Sequence, residues 1–364
     1  MTSPFPTPYP TLLGDYPALQ MCLDTAIAEA LVQFPSLNPF RTAISFVAIG
    51  ETTTPMDFKH AGIRYGDSDY SASLLKVGVL YAAYELKRSV NNLATESGAT
   101  TSNVLFAKLH SDFDQIIKDK FHSILSSLNI SINAEINSVI TTPKYEQIFA
   151  TVPLTTGGMA LTFGGQFQTN LRQMIINSDN NAAAACIKAL GYSWINGVLH
   201  AGGFFSPEGK TGIWIGGTFT GSLPYIRIPT MNDGEAAQVT TCFDMANLYA
   251  HMFQQTLVDS SSSNDMLNLL IVSAALGNDA SYLDYTARSL PPRNFSVTHT
   301  KIGRGPLKTM EWVASDGAIL EYLNSEGNGW KFIVVFQNSF IDNNSLTALG
   351  YIVERTMELY LFAP

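Results

Sequence analysis

The sequence predicts an α/β (α+β) fold in which an antiparallel sheet, flanked by helices, encloses an inserted all-α lobe. Two observations lead there. Strand-like, β-branched runs gather before residue 70 and after residue 290, and the long interval between them carries apolar residues mostly at helical spacing. Residues 1–70 plus 290–364 are therefore assigned to a discontinuous α/β lobe, and 71–289 to a mainly helical lobe.

The elements follow in order. The Pro-rich opening Met1 to Pro10 reads as an extended arm, and Tyr16 to Phe34 as an amphipathic helix stopped by Pro35. Thr42 to Ile49 and Asp57 to Tyr65 are strands, with Gly50 to Pro55 as their hairpin loop. From Ser73 one helix carries the stripe Leu75, Val79, Leu80, Ala83 and Leu86, and Asn103 to Leu128 forms a second. Leu171 to Ile176 starts a short helix, Asn181 to Leu190 is an alanine-rich one, and Phe243 to Thr256 follows. Paired glycines at 202–203 and 216–217 mark a loop-rich interval after Leu190, and Ser260 to Ser263 reads as a surface loop. Strands over Ser296 to Arg304, Met310 to Leu323 and Trp330 to Asn338 precede a closing helix, Leu346 to Phe362. There is no internal repeat.

Composition narrows the function. Charged residues make up 14% of the 364, below the roughly 25% of an average soluble protein. A large core with a neutral surface accounts for this, as would the subunit interface of a homo-oligomer. A net charge of −9 and no basic cluster argue against nucleic acid or anionic membrane as partners. Cys22, Cys186 and Cys242 are too sparse for a disulfide framework, and the six histidines form no paired ligand motif, so neither metal nor cofactor is expected. No Lys or Arg precedes Arg41, and no apolar run approaches the roughly 20 residues of a membrane span. The expectation is a cytoplasmic chain, or a periplasmic or secreted one if a leader is removed.

Three short motifs carry the chemistry: Ser73-Leu-Leu-Lys76 at a helix start, Ser178-Asp-Asn180 between two helical stretches, and Lys301-Ile-Gly303 on a late strand. A serine hydroxyl is a poor nucleophile at neutral pH and needs an adjacent base. Residues i and i+3 of a helix share a face, and a lysine withdrawn from water near other cations gives up its proton more readily. In this order the motifs resemble the S-x-x-K, S-D-N and K-T-G set of serine β-lactamases and penicillin-binding proteins, class A β-lactamases above all. The likeness runs from about Phe40 to the C-terminus, and Leu171 to Asn177 with Asn181-Ala-Ala resembles the class A surroundings of S-D-N.

The resemblance implies a β-lactamase/transpeptidase-like fold and roles for individual residues. Ser73 would be the nucleophile and Lys76 its activator. Ser178 would bridge Lys76 and Lys301 and relay a proton, and Asn180 would hold Lys76 and the substrate amide. Asp179 would brace its turn, and Asn181 would take a capping or turn role. The backbone N–H groups of Ser73 and Arg304 would form the oxyanion hole, with Ile302, Gly303 and Arg304 lining the substrate site. Lys210-Thr-Gly212 is a literal K-T-G, but it lies only 32 residues after Ser178 and leaves 152 behind it, whereas the family's lysine strand is near the chain end.

Two departures qualify the likeness. None of the acidic residues between Asn181 and Lys301 has Asn at the fourth following position, the pairing that orients the deacylating water in class A enzymes. Ile302 replaces the hydroxyl that binds the carboxylate of penicillins and D-Ala-D-Ala peptides. The separation of 105 residues between Ser73 and Ser178 is also long, and residues 91–165 read as an insertion. The expectation is a serine hydrolase or acyltransferase acting on a small-molecule or peptide-like amide or ester. The alternatives are a β-lactamase or D,D-peptidase proper, or a non-catalytic binding protein on this fold.

Overall fold

A computed structural model describes residues 3–35, 41–50, 56–155, 157–271, 280–323 and 329–362. Residues 51–55, the expected hairpin loop, lie outside the described residues. The strands used below are β1 (Leu13–Asp15), β2 (Ala43–Ile49), β3 (Phe58–Ile63), β4 (Asp69–Tyr70), β5 (Gln238–Thr240), β6 (Phe295–Pro306), β7 (Trp312–Leu323) and β8 (Gly329–Phe340). The longer helices are α1 (Pro17–Gln33), α2 (Lys76–Ser97), α3 (Ser102–Ser127), α4 (Gly165–Ile176), α5 (Asn180–Leu190), α6 (Tyr192–Ala201), α7 (Cys242–Phe253), α8 (Ser260–Leu270) and α9 (Asn343–Phe362).

By contact the chain divides into two compact units. One comprises Met1–Pro10, Leu75–Ile228 and Glu235–Gln238; the other comprises Thr11–Leu74, Pro229–Gly234 and Val239–Pro364. Residues 239–289 therefore group with the sheet and the N-terminal arm with the helices, where the sequence reading had placed them the other way. The physical reason is coverage: α7 packs on β8 and β2, and α8 on β6, so the sheet needs these helices to bury a face.

The sheet unit is built on six strands in the order β1-β3-β2-β8-β7-β6, antiparallel except for β1 beside β3. Every residue of β2 is buried, as befits a central strand covered on both faces. On one face α1 contributes Leu19, Leu23, Ala26 and Ala30, and α9 contributes Leu349, Ile352, Val353 and Met357, packed against Phe46, Leu320, Val334 and Phe336. At roughly 1.5–3 kcal/mol for each fully buried side chain, this layer is a principal stabiliser of the unit. Arg355 Nε, donating to Glu29 at 2.7 Å, ties α9 to α1.

In the helical unit α2 is central and meets α3, α4, α5 and α6. Helix α6, missed in the sequence, is buried from Tyr192 to Leu199 and follows α5 after the single residue Gly191. Trp194 on α6 donates its indole N–H to Ala82 O on α2 at 2.8 Å. Helix α3 buries Leu105, Leu109, Phe113, Ile117 and Phe121, so this part of the 91–165 interval belongs to the core of its unit. Within the same interval Phe149–Pro153 and Met159–Phe163 pair as an antiparallel hairpin. The arm docks on these helices. Phe5 stacks on Trp194 with centroids 5.4 Å apart, and Ser89 Oγ donates to Pro4 O.

The serine run is the other local correction. Ser260 to Ser263 opens α8, because Asp259 accepts from Ser262 N at 2.7 Å and caps it.

Candidate active site

The nucleophile candidate sits in the sheet unit. Ser73 lies in the 3-10 turn Ala72–Leu75, which leads directly into α2, and it is half-buried. Ala72, just before it, has φ 48°. A left-handed alanine costs about 1 kcal/mol or more, and such strain persists only where surrounding packing fixes it.

Gly303 provides that packing. A Cβ built on it would lie 2.1 Å from Ser71 O and 2.8 Å from Leu74 N, so only glycine lets β6 come this close to the turn. Ser315 Oγ donates to Ser71 O at 2.7 Å and holds the turn from the neighbouring strand. Lys301, two residues before Gly303, is 3% exposed and donates through Nζ to Ile302 O at 3.2 Å. β6 is an edge strand of the six, so alternate backbone N–H groups face away from the sheet.

Ile302 is a correction. It points to the opposite face, is 3% exposed and belongs to the α1–α9 core, where it is no part of a substrate-binding surface. Alternation along β6 explains this: Lys301 and Gly303 share one face, Ile302 and Arg304 the other. The Arg304 side chain, beyond the core edge, is exposed with its guanidinium 5.6 Å from the Trp312 ring centroid.

The helical unit holds the second group of motif residues. Lys76 is fully buried (0% exposed), and its Nζ donates to Asn180 Oδ1 at 2.8 Å, to Ser178 O, and at 3.4 Å to Ser178 Oγ. The sequence places these acceptors by a tight turn between α4 and α5, in which Ser178 takes φ 51°. Asp179 accepts from Ala182 N at 2.7 Å, capping α5, and its own N–H donates to Gln173 O. Asp179 thus braces the turn; the cap expected of Asn181 belongs to Asp179, and Asn181 is exposed in the first turn of α5.

Motif reading missed Phe219. Its ring centroid lies 5.1 Å from Lys76 Nζ, and its own backbone is left-handed at φ 65°. A bulky residue held in that region signals a constrained loop. The only sequence hint was the glycine-rich stretch around it, Gly216-Gly-Thr-Phe-Thr-Gly221. Lys210-Thr-Gly212 is the returning side of a small hairpin in which Phe205–Ser206 pairs Thr211–Gly212, outside the six-stranded sheet. Among the described residues no three His, Cys, Asp or Glu side chains gather as a metal site would require.

The family model described as the β-lactamase enzyme family matches residues 156–328, a stretch that contains Ser178-Asp-Asn180 and Lys301-Ile-Gly303. Over that stretch the chain is similar to the β-lactamase enzyme family. Solved structures similar to the chain include three β-lactamases. A β-lactamase from Sphaerobacter thermophilus DSM 20745 is 13% identical, with 93% of this chain and 98% of that one covered and a TM-score of 0.49. A β-lactamase from Chitinophaga pinensis DSM 2588 is 11% identical, with 94% and 99% covered and a TM-score of 0.49. A class A β-lactamase from Bacteroides cellulosilyticus DSM 14838 is 12% identical, with 93% and 96% covered and a TM-score of 0.47. No curated protein matches the chain.

Proposed function

We propose that the chain is a serine acyl-enzyme, a hydrolase or acyltransferase that opens an amide or ester by forming an acyl bond to Ser73 Oγ. In this reading Lys76 takes the Ser73 proton as Oγ attacks the carbonyl carbon, and the backbone N–H groups of Ser73 and Arg304 receive the developing oxyanion. Ser178 returns the proton to the leaving amine or alkoxide. Asn180 holds Lys76, and Lys301 supplies positive charge along the strand.

The observation that carries the reading is Lys76. A fully buried lysine nitrogen costs several kcal/mol unless its hydrogens are partnered, and here the partners are two residues of a catalytic-type motif 102 and 104 positions away. A lysine placed only for stability would gain more from an apolar replacement.

Release of the acyl group should be slow. The stretch from Gly209 to Asn232, which includes the Phe219 ring beside Lys76, contains no Asp or Glu to activate water. With Ile302 in the core and Arg304 outward, a neutral or weakly charged acyl substrate suits the site better than a free carboxylate.

Replacing Lys76 by Ala tests the role of the base. Labelling of the enzyme by a fluorophosphonate should slow by a factor on the order of 10²–10⁴, the usual worth of a positioned general base. An unchanged rate in a folded Lys76→Ala protein would remove Lys76 from the mechanism.

A further inference from the structure

One buried carboxyl of the sheet unit has no partner. Asp69 is 0% exposed, and neither of its oxygens meets a hydrogen-bond donor among the described residues. It stands opposite Thr240 in the β4–β5 ladder, four residues before Ser73. Ser71, two residues on, also has a buried and unpartnered Oγ. Ser315, which holds the Ser71 carbonyl, lies in a β7 bulge between Ala314 and Asp316, opposite Gln337 and Asn338 of β8. Gln337 Oε1 and Asn338 Oδ1 are again buried without donors. Gln337 Oε1 and Asn338 Oδ1 can only accept, whereas the Ser71 hydroxyl can donate or accept.

A protonated carboxyl supplies a hydrogen, whereas a carboxylate adds two further acceptors. The charged groups nearby do not reverse this. Arg64 and Asp67, in the loop before β4, pair with each other at 2.7 Å; Arg41, ahead of β2, pairs with Glu311 through Nη1, while its buried Nη2 meets no acceptor among the described residues. At the head of α7, Cys242 receives an N–H from Gln337, and Asp244 accepts from Thr241. Burial outweighs the attraction of Arg64 and Arg41 and pushes the Asp69 carboxyl up to about 7.

We propose that Asp69 is a proton-sensitive positioning residue: with its carboxyl neutral the Ser71–Leu74 turn stays seated against Gly303, and with its carboxyl charged the turn is released. The functional half of this proposal rests on the reading of Ser73 as nucleophile. A raised carboxyl favours the folded state only while protonated. Its contribution is present below the ordinary carboxylate value and is lost as pH rises through about 7.

The test has two arms. In a Ser73→Ala background, the melting temperature should fall between pH 5 and pH 8.5 by several degrees more with Asp69 than with Asp69→Asn. In the active protein, the ratio of Asp69→Asn to wild-type labelling rates should rise roughly tenfold between pH 6 and pH 8, because the neutral fraction of a group with pKa near 7 falls about that much. Parallel pH profiles in either arm would overturn the proposal. Different melting profiles with no labelling of any protein would uphold the seating of the turn and defeat the Ser73 reading instead. Asp69→Leu, apolar and of similar size, stands in if the amide fails to fold. Failure of both neutral variants to fold would also overturn the proposal, which requires an uncharged side chain there.

Discussion

Asp316 and Asp69 are both fully buried carboxyls of the sheet unit, yet they are built in opposite ways. Asp316 accepts from Ser281 Oγ at 2.6 Å, Tyr282 N at 2.9 Å and Thr300 Oγ1 at 2.8 Å. Asp69 accepts from no donor among the described residues. The first is a structural anchor that ties the 281–282 segment to β6 and β7. The second sits under the residues that present Ser73, where a fully satisfied network would have held the turn in one state at every pH. Lys76 in the helical unit is built like Asp316, with acceptors gathered around its nitrogen. Partnered buried polar groups mark where the protein is fixed, and the unpartnered carboxyl marks where it can respond.

The comparison is broken most forcefully at Asp316. Replacing it by Ala leaves three buried donors without an acceptor, and stability should drop by about 3 kcal/mol or more, read as a lowered denaturation midpoint with an unchanged slope. Asp69→Ala removes at most the one hydrogen bond that a protonated carboxyl can donate, and should cost clearly less at neutral pH. Equal losses would erase the distinction between anchor and responsive group.

A smaller effect is expected at Arg304, which lies at the same strand's outer end. Its guanidinium faces Trp312 and solvent, so Arg304→Ala should change turnover of a carboxylate-bearing ester and of its methyl ester by similar, small factors. A preference for the free acid that vanishes in the variant would make Arg304 a carboxylate anchor and refute the neutral-substrate inference.

Much of this was legible in the sequence because the signals are local. The long strands at both ends and the helices α1, α3, α7 and α9 follow from periodicity, and their observed limits differ from the expected ones by only a few residues at each end; for α2 the stripe marked the start and not the end at Ser97. The grouping of Lys76 with Ser178 and Asn180 followed from motif order. What stayed hidden depends on three dimensions. Helix α6 follows α5 after the single residue Gly191, so the sequence offers no long break to separate the two helices. The direction of Ile302 follows from strand alternation, but its burial in the α1–α9 core depends on which face of β6 those helices cover. Asp69 looks like an ordinary polar residue in Gly66-Asp-Ser-Asp-Tyr70, and only packing shows that it has been stripped of water. Phe219 meets Lys76 across 143 positions of chain, beyond the reach of any spacing rule.

The central claim is that Ser73 Oγ forms the acyl bond. Intact-mass spectrometry with peptide mapping, after exposure to a fluorophosphonate and separately to a β-lactam, measures it directly. The account predicts one adduct per chain on the Ser73 peptide, slow to disappear when a β-lactam forms it, and none in Ser73→Ala. An adduct on another residue, or equal labelling of Ser73→Ala, would contradict it.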